Sequence, residues 1–148
     1  MEKKVKILLI EDNPGDAYLI EEHLEEFANF SYEFENVGTL NEALTVLKKQ
    51  PFDVILLDLE LPDSCGISTF VSVHNRNPLI PIIILTGLNN KTVESYALKK
   101  GAYDFLVKGH IEGRLLKCIR QCSIEHKKEL YSVLDVHPHY RFNAKSIE

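Results

Sequence analysis

The sequence predicts an α/β fold: a doubly wound parallel sheet in a three-layer α-β-α sandwich. Apolar runs of four to six residues alternate along the chain with longer amphipathic stretches. A sheet covered by helices on both faces reads this way in sequence. Three of the runs also end on acidic or hydroxyl-bearing residues: Ile7-Leu8-Leu9-Ile10 on Glu11-Asp12, Val54-Ile55-Leu56-Leu57 on Asp58, and Ile82-Ile83-Ile84-Leu85 on Thr86. A fourth run, Tyr103 to Val107, ends on Lys108.

Strands are expected near 5–11, 32–37, 54–58, 82–86 and 103–107, and helices near 16–28, 40–49, 67–75, 91–100 and 112–134. The second helix opens on Thr39 with Glu42 three residues later, a capping box. Pro51, Pro62, Pro78 and Pro81 fall between elements, where a missing amide does no damage. The fourth helix closes on Lys99-Lys100 followed by Gly101, cations in the last turn and then a residue free to reverse the chain. The last helix carries Ile111, Leu115, Cys118, Ile119, Cys122 and His126 on one stripe. Leu130, Val133 and Leu134 continue the apolar pattern beyond what five βα units need, so the C-terminal helix is expected to be extended. Pro138 should stop it, leaving His137 to Glu148 as a short tail with aromatics at Tyr140 and Phe142, either loose or packed on this chain or a partner.

The chain of 148 residues fits one ordinary domain, able to bury about two thirds of the surface its unfolded form exposes. Its hydrophobic fraction of 45% and charged fraction of 26% are those of a soluble globular protein, and a net charge of −5 argues against a nucleic-acid-binding face. No apolar stretch reaches the roughly 18 residues that span a bilayer, and Met1 to Lys6 lacks a signal-peptide core, so no membrane partner and a cytoplasmic location are expected. Cys65, Cys118 and Cys122 have no framework-like spacing and are expected as free thiols in a reducing compartment. Cys118, Cys122 and His126, spread over two helical turns, cannot all reach one ion and read as core. Lys127-Lys128 reads as a solvated helix face, and His137 and His139 as part of a solvated segment.

In an open parallel sheet, ligands bind outside the carboxyl ends of the strands where the strand order reverses. For the order 2-1-3-4-5 that point lies between the first and third strands, which brings Glu11, Asp12 and Asp58 together. Two like charges about 4 Å apart repel by roughly 4 kcal/mol at an effective dielectric near 20, so clustered carboxylates bind a cation, hold a proton or splay apart. Oxygen ligands alone select a hard ion such as Mg²⁺. Lys108 and Thr86 approach the same crevice with an ammonium and a hydroxyl, suited to phosphoryl oxygens. Asp58 is then the natural nucleophile, giving an acyl phosphate.

The chain closely resembles the receiver domain of two-component response regulators. The resemblance covers roughly residues 4–128 and rests on Ile-Leu-Leu-Ile-Glu-Asp-Asn at 7–13, Asp-Val-Ile-Leu-Leu-Asp-Leu-Glu-Leu-Pro at 53–62, Gly66, Ile-Leu-Thr-Gly at 84–87 and Gly-Ala-Tyr-Asp-Phe-Leu-Val-Lys at 101–108. It implies a flavodoxin-like receiver domain at 4–128, with 129–148 as helix extension and tail. It implies that Asp58 accepts a phosphoryl group from a histidine kinase or a histidine phosphotransfer protein. Asp12 and Asp58 would bind Mg²⁺ with the Glu60 backbone carbonyl, Glu11 would act through metal-bound water, and Thr86 and Lys108 would contact the phosphoryl oxygens. Output would pass to a downstream protein through a surface built from the fourth helix, fifth strand and fifth helix, and a homodimer through helices four and five fits that surface. The run Glu-Asp-Asn-Pro-Gly-Asp at 11–16 is similar to a subgroup that includes small regulators without an attached output domain.

The sequence departs from the family pattern at Gly109, where proline usually follows the lysine; a trans bond and a reshaped loop are expected there. Cys65 replaces the usual aspartate before Gly66 and reads as a loop variant. Phe105 holds the aromatic switch position three residues before Lys108; without a hydroxyl, its coupling to Thr86 rests on ring packing, the alternative being a static core aromatic. Glu60 and Leu88, two residues after Asp58 and Thr86, stand where side chains of this family tune the lifetime of the acyl phosphate. The chain is expected to catalyse only its own phosphorylation and dephosphorylation. A competing reading is an aspartyl-nucleophile phosphohydrolase; Glu60 in place of a second aspartate and the lack of a cap insertion count against it. A receiver-like binding scaffold is disfavoured by the full acidic set and Lys108.

Overall fold

The computed structural model describes residues 3–111 and 113–136, with side chains not described at 129 and 131–136. Among the described residues, seven strands and five helices follow one another as β1 (Val5–Ile10), α1 (Pro14–Phe27), β2 (Tyr32–Val37), α2 (Leu40–Lys49), β3 (Val54–Leu57), β4 (Glu60–Leu61), β5 (Ser64–Cys65), α3 (Ile67–Arg76), β6 (Ile82–Thr86), α4 (Lys91–Lys99), β7 (Asp104–Val107) and α5 (Leu115–Val136). Five strands form a parallel sheet in the order β2-β1-β3-β6-β7, which is the expected 2-1-3-4-5. The doubly wound three-layer sandwich of the sequence reading is therefore the fold.

Side-chain alternation divides the core into two. Leu8, Ile10, Ile55, Leu57, Ile82, Ile84 and Phe105 project to one face and pack with Ala43 of α2, Phe70 and Val73 of α3 and Ala97 of α4. Their sequence neighbours Ile7, Leu9, Val54, Leu56, Ile83, Leu85 and Leu106 project to the other face, onto Ala17, Ile20 and Leu24 of α1 and Leu115, Ile119 and Cys122 of α5. All four residues of β3 are buried, as a central strand with helices on both faces requires.

The helix boundaries differ from expectation for local reasons. α1 begins at Pro14, two residues early, because Asn13 caps it by accepting the Asp16 N–H at 3.0 Å and proline suits a first helical turn. α5 begins at Leu115 rather than near 112, behind Gly109 and Gly113, whose φ values of +88° and +77° interrupt a helix. It runs to Val136, so the expected extension is present. The tail 137–148, with His137, His139, Tyr140 and Phe142, lies outside the described residues, as do the side chains of Val133 and Leu134. An antiparallel pair, β4 with β5, intervenes where the sequence reading expected only a loop.

α4 ends as expected. The Gly101 N–H donates to Leu98 O and the Ala102 N–H to Ala97 O, a Schellman motif with Gly101 at φ +112°. Thr39 caps α2 by accepting the Glu42 N–H at 3.0 Å, while its hydroxyl lies 3.2 Å from Glu42 Oε1, so the side chains bond each other instead of completing the reciprocal box. The Lys108–Gly109 bond is trans, as expected.

Candidate functional site

Parallel register places the strand ends side by side. Ile10 pairs with Leu57, and the Asp58 N–H donates to Ile10 O at 3.0 Å, so the residues after β1 and β3 share one crevice. Thr86 closes β6 opposite Val107, and its carbonyl accepts the Lys108 N–H at 2.7 Å. Sheet topology thus gathers Glu11, Asp12, Asp58, Thr86 and Lys108 at one edge, as the sequence reading required.

Glu11 and Asp58 are buried, whereas Asp12 is exposed at the crevice mouth. Each offers an oxygen within 4.8 Å of the other two, the one such cluster of potential metal ligands among the described residues. An all-oxygen set of this charge suits a hard divalent cation. Lys108 bridges the acids: its Nζ bonds to Glu11 Oε1, lies 3.0 Å from Asp16 Oδ2 and 3.4 Å from Asp58 Oδ2. The other Glu11 oxygen accepts the Asn13 N–H at 3.2 Å, and Asp58 Oδ1 accepts the Glu60 N–H at 3.2 Å. Burial, followed by the shared hydrogen bond with Asp58, pushes Glu11 up to about 7. Burial alone would lower Lys108, but its bonds to Glu11 and Asp16 and the charge of Asp58 outweigh that and raise it, so the ammonium stays protonated.

The remaining expected residues sit around this centre. Thr86 is buried, and its hydroxyl accepts the Leu88 N–H at 3.2 Å while the Leu88 side chain is exposed. The Glu60 side chain is exposed at the start of β4. Phe105 is buried against the α4 side of the sheet, the face to which Ile84 also points. Cys65 is exposed, Cys122 lies in the core, and the Cys118 thiol donates to Asp104 Oδ2 at 3.2 Å. Burial and that carboxylate push Cys118 up to about 11.

Three polar residues that the sequence reading left out also hold the site. Asp16 of α1 binds Lys108; recognising Pro14 as a first-turn residue would have put it near the strand ends. The Asn36 amide on β2 donates to Leu9 O at 3.0 Å and Glu11 O at 3.2 Å, tying down the turn after β1. Asp63, between β4 and β5, accepts the Leu40 and Asn41 N–H groups at 2.8 and 3.0 Å, capping α2 from more than twenty residues away. No local pattern announces Asn36 or Asp63, because their partners lie on other elements.

The model of the response regulator receiver domain family matches residues 7–120. The chain is 31% identical over 114 residues to the response regulator protein PilR of Pseudomonas aeruginosa, across 77% of this chain and 25% of that protein. It spans about a quarter of the length of PilR and of the ZraR proteins it also matches. Among solved structures it is similar to a CheY-like receiver domain protein of Methanospirillum hungatei JF-1, at 26% identity and a TM-score of 0.74 over 86% of this chain and 99% of that one. It is also similar to the beryllofluoride-activated NtrC4 receiver domain dimer, at 30% identity and a TM-score of 0.72 over 82% and 98% of the two chains.

Proposed function

Because the chain belongs to the response regulator receiver domain family, we propose that it is a phosphorylatable switch modified at Asp58. Its donor is a phosphohistidine on a sensor histidine kinase or a histidine phosphotransfer protein. The observation that carries this reading is a buried Asp58 with Lys108 Nζ 3.4 Å from one oxygen and the Glu60 N–H 3.2 Å from the other, next to two further carboxylates.

In the transfer a carboxylate oxygen of Asp58 attacks phosphorus, the phosphorus–nitrogen bond of the donor breaks, and the imidazole leaves with its electron pair and takes up a proton. The product is an acyl phosphate; hydrolysis returns carboxylate and inorganic phosphate. Glu11, Asp12 and Asp58 fit a hard divalent cation such as Mg²⁺, to which the Glu60 backbone carbonyl would add a ligand as the family pattern implies, and the ion when bound would supply charge neutralisation for the incoming phosphoryl group. Lys108 offers N–H donors to the transferred oxygens, and the Thr86 hydroxyl offers another. The chain speeds only this transfer and the hydrolysis of its acyl phosphate product, with Glu60 and Leu88 tuning access of the attacking water.

Modification replaces a carboxylate by a group of greater charge, and the conformation that binds it better gains population. Thr86 ends β6, which leads into α4, and Phe105 lies on the adjacent β7, which follows α4; together they would carry the change to the surface formed by α4, β7 and α5. Tyr96 and Leu98 of α4 and Ile124 and Leu130 of α5 are exposed apolar residues there, suited to a downstream protein or to a homodimer like that of the NtrC4 receiver. Free thiols agree with a cytoplasmic setting. Among the described residues no helix is long and apolar enough to cross a membrane.

Incubation with acetyl phosphate and Mg²⁺, followed by intact mass measurement, tests the assignment. One base-labile phosphoryl adduct is expected, lost in Asp58→Ala. An adduct that survives this substitution, or none in the unmodified chain, would overturn it. Steady turnover of small phosphate esters would favour a phosphohydrolase instead.

A further inference from the structure

The Lys108 ammonium has three N–H donors and three carboxylates around it, and one of the three has no place in the metal set. Glu11 and Asp58 belong to the oxygen cluster, whereas Asp16 stands outside it. Asp16 Oδ2 is nevertheless nearer Nζ, at 3.0 Å, than Asp58 Oδ2 is, at 3.4 Å.

The start of α1 sets that position. Asn13 accepts the Asp16 N–H, Pro14 occupies the first helical turn, and a Cβ on Gly15 would come within 3.2 Å of Asn13 Oδ1. Asp16 therefore approaches Lys108 from a helix and not from a strand end. Its carboxylate is partly exposed, bordering an open cavity of about 240 Å³ shared with Leu19, His23, Gly109 and Ile111. Among the described residues, Lys108 is its one cationic partner.

From this geometry we infer that Asp16 is a positioning residue that restrains Lys108, holding its ammonium away from Asp58 and so slowing phosphoryl capture. This inference rests on the phosphoacceptor reading of Asp58. Glu11 and Asp58 would give up their charge to a divalent cation when one is bound, whereas Asp16, outside that set, would still compete for the ammonium that an arriving phosphoryl oxygen needs. In the reaction with acetyl phosphate, Asp58 forms a bond to phosphorus, the bond from phosphorus to the acyl oxygen breaks, and acetate departs. Negative charge that develops on the phosphoryl oxygens is met sooner when Lys108 is released.

The test is a double-mutant cycle of Asp16→Asn and Lys108→Ala, read as the initial rate of Asp58 modification by acetyl phosphate at saturating Mg²⁺. Asp16→Asn is expected to raise the rate roughly two- to fivefold, the factor an ion pair with one partly exposed partner carries. In the Lys108→Ala background the gain should vanish. In the metal-free protein, Asp16→Asn should also shift the Lys108 ammonium resonance in NMR. An unchanged or lower rate in Asp16→Asn, an equal gain without Lys108, or an unmoved ammonium resonance overturns the inference while leaving Asp58 as phosphoacceptor. No adduct in the unmodified chain would overturn both.

Discussion

Gly101 shows how much one residue can carry. It closes the Schellman turn of α4 at φ +112°, where an L side chain is strained, and a Cβ there would stand 2.8 Å from His74 Nε2. His74 has little freedom to retreat, because its ring stacks on Phe70 at 5.3 Å between centroids. Gly101→Ala should therefore destabilise the fold by about 1–3 kcal/mol, read as a lower urea midpoint at an unchanged slope. Gly109 follows the same logic beside the site. Its φ of +88° is closed to proline, whose ring holds φ near −65°, so the loop after Lys108 takes a path the proline-bearing family pattern does not allow. Sequence showed that Gly109 was unusual, and only the backbone angle showed why. Phe105 is the reverse case: its burial was legible from the strand pattern, but whether its ring moves on modification is decided by comparing the free and beryllofluoride-bound states, and an unmoved ring would remove it from the switch.

At the scale of elements, the β4–β5 hairpin ties the turn after Asp58 to α2. The Glu60 N–H holds Asp58 Oδ1, the Gly66 N–H closes on Leu59 O at 2.8 Å, and Asp63 caps α2 through two backbone amides. The bonds from the Leu40 and Asn41 amides hold the Asp63 carboxyl below the usual carboxylate range. A carboxyl lowered in the folded state contributes stability above its unfolded value, near pH 4, and that contribution is lost as pH falls through the folded value. Asp63→Asn should accordingly be less stable than the unmodified chain at pH 7, and the gap between their urea midpoints should close as the pH is taken below about 4. A constant gap would mean that the charge of Asp63 contributes nothing to the cap. The hairpin escaped the sequence reading because two-residue strands have no measurable period, and Asp63 escaped it because its partners are distant in the chain.

Across the whole molecule, β3 is the hinge of the architecture. Ile55 and Leu57 feed the core under α2, α3 and α4, while Val54 and Leu56 feed the core under α1 and α5, so the sheet transmits packing defects to both sides. Leu56 is fully buried, and Leu56→Ala should cost about 2–5 kcal/mol, a large share of the roughly 5–15 kcal/mol that holds an ordinary domain together. Chemical denaturation followed by far-UV and near-UV circular dichroism should show one coincident, earlier transition. Separate transitions for the two layers would contradict a single cooperative unit.

The sheet, its two helical layers and the five polar residues at the strand ends were legible in the chain of residues, because side-chain alternation and apolar runs are local properties that a parallel sheet converts directly into position. Tertiary structure alone decided what those residues meet. That Lys108 answers to Asp16 as well as to Glu11 and Asp58, that Asn36 pins the turn before Asp12, and that Asp63 caps a helix from across the site all depend on distances between segments remote in the chain. Such contacts leave no periodic trace, since a hydrogen bond constrains two atoms in space and not the residues between them.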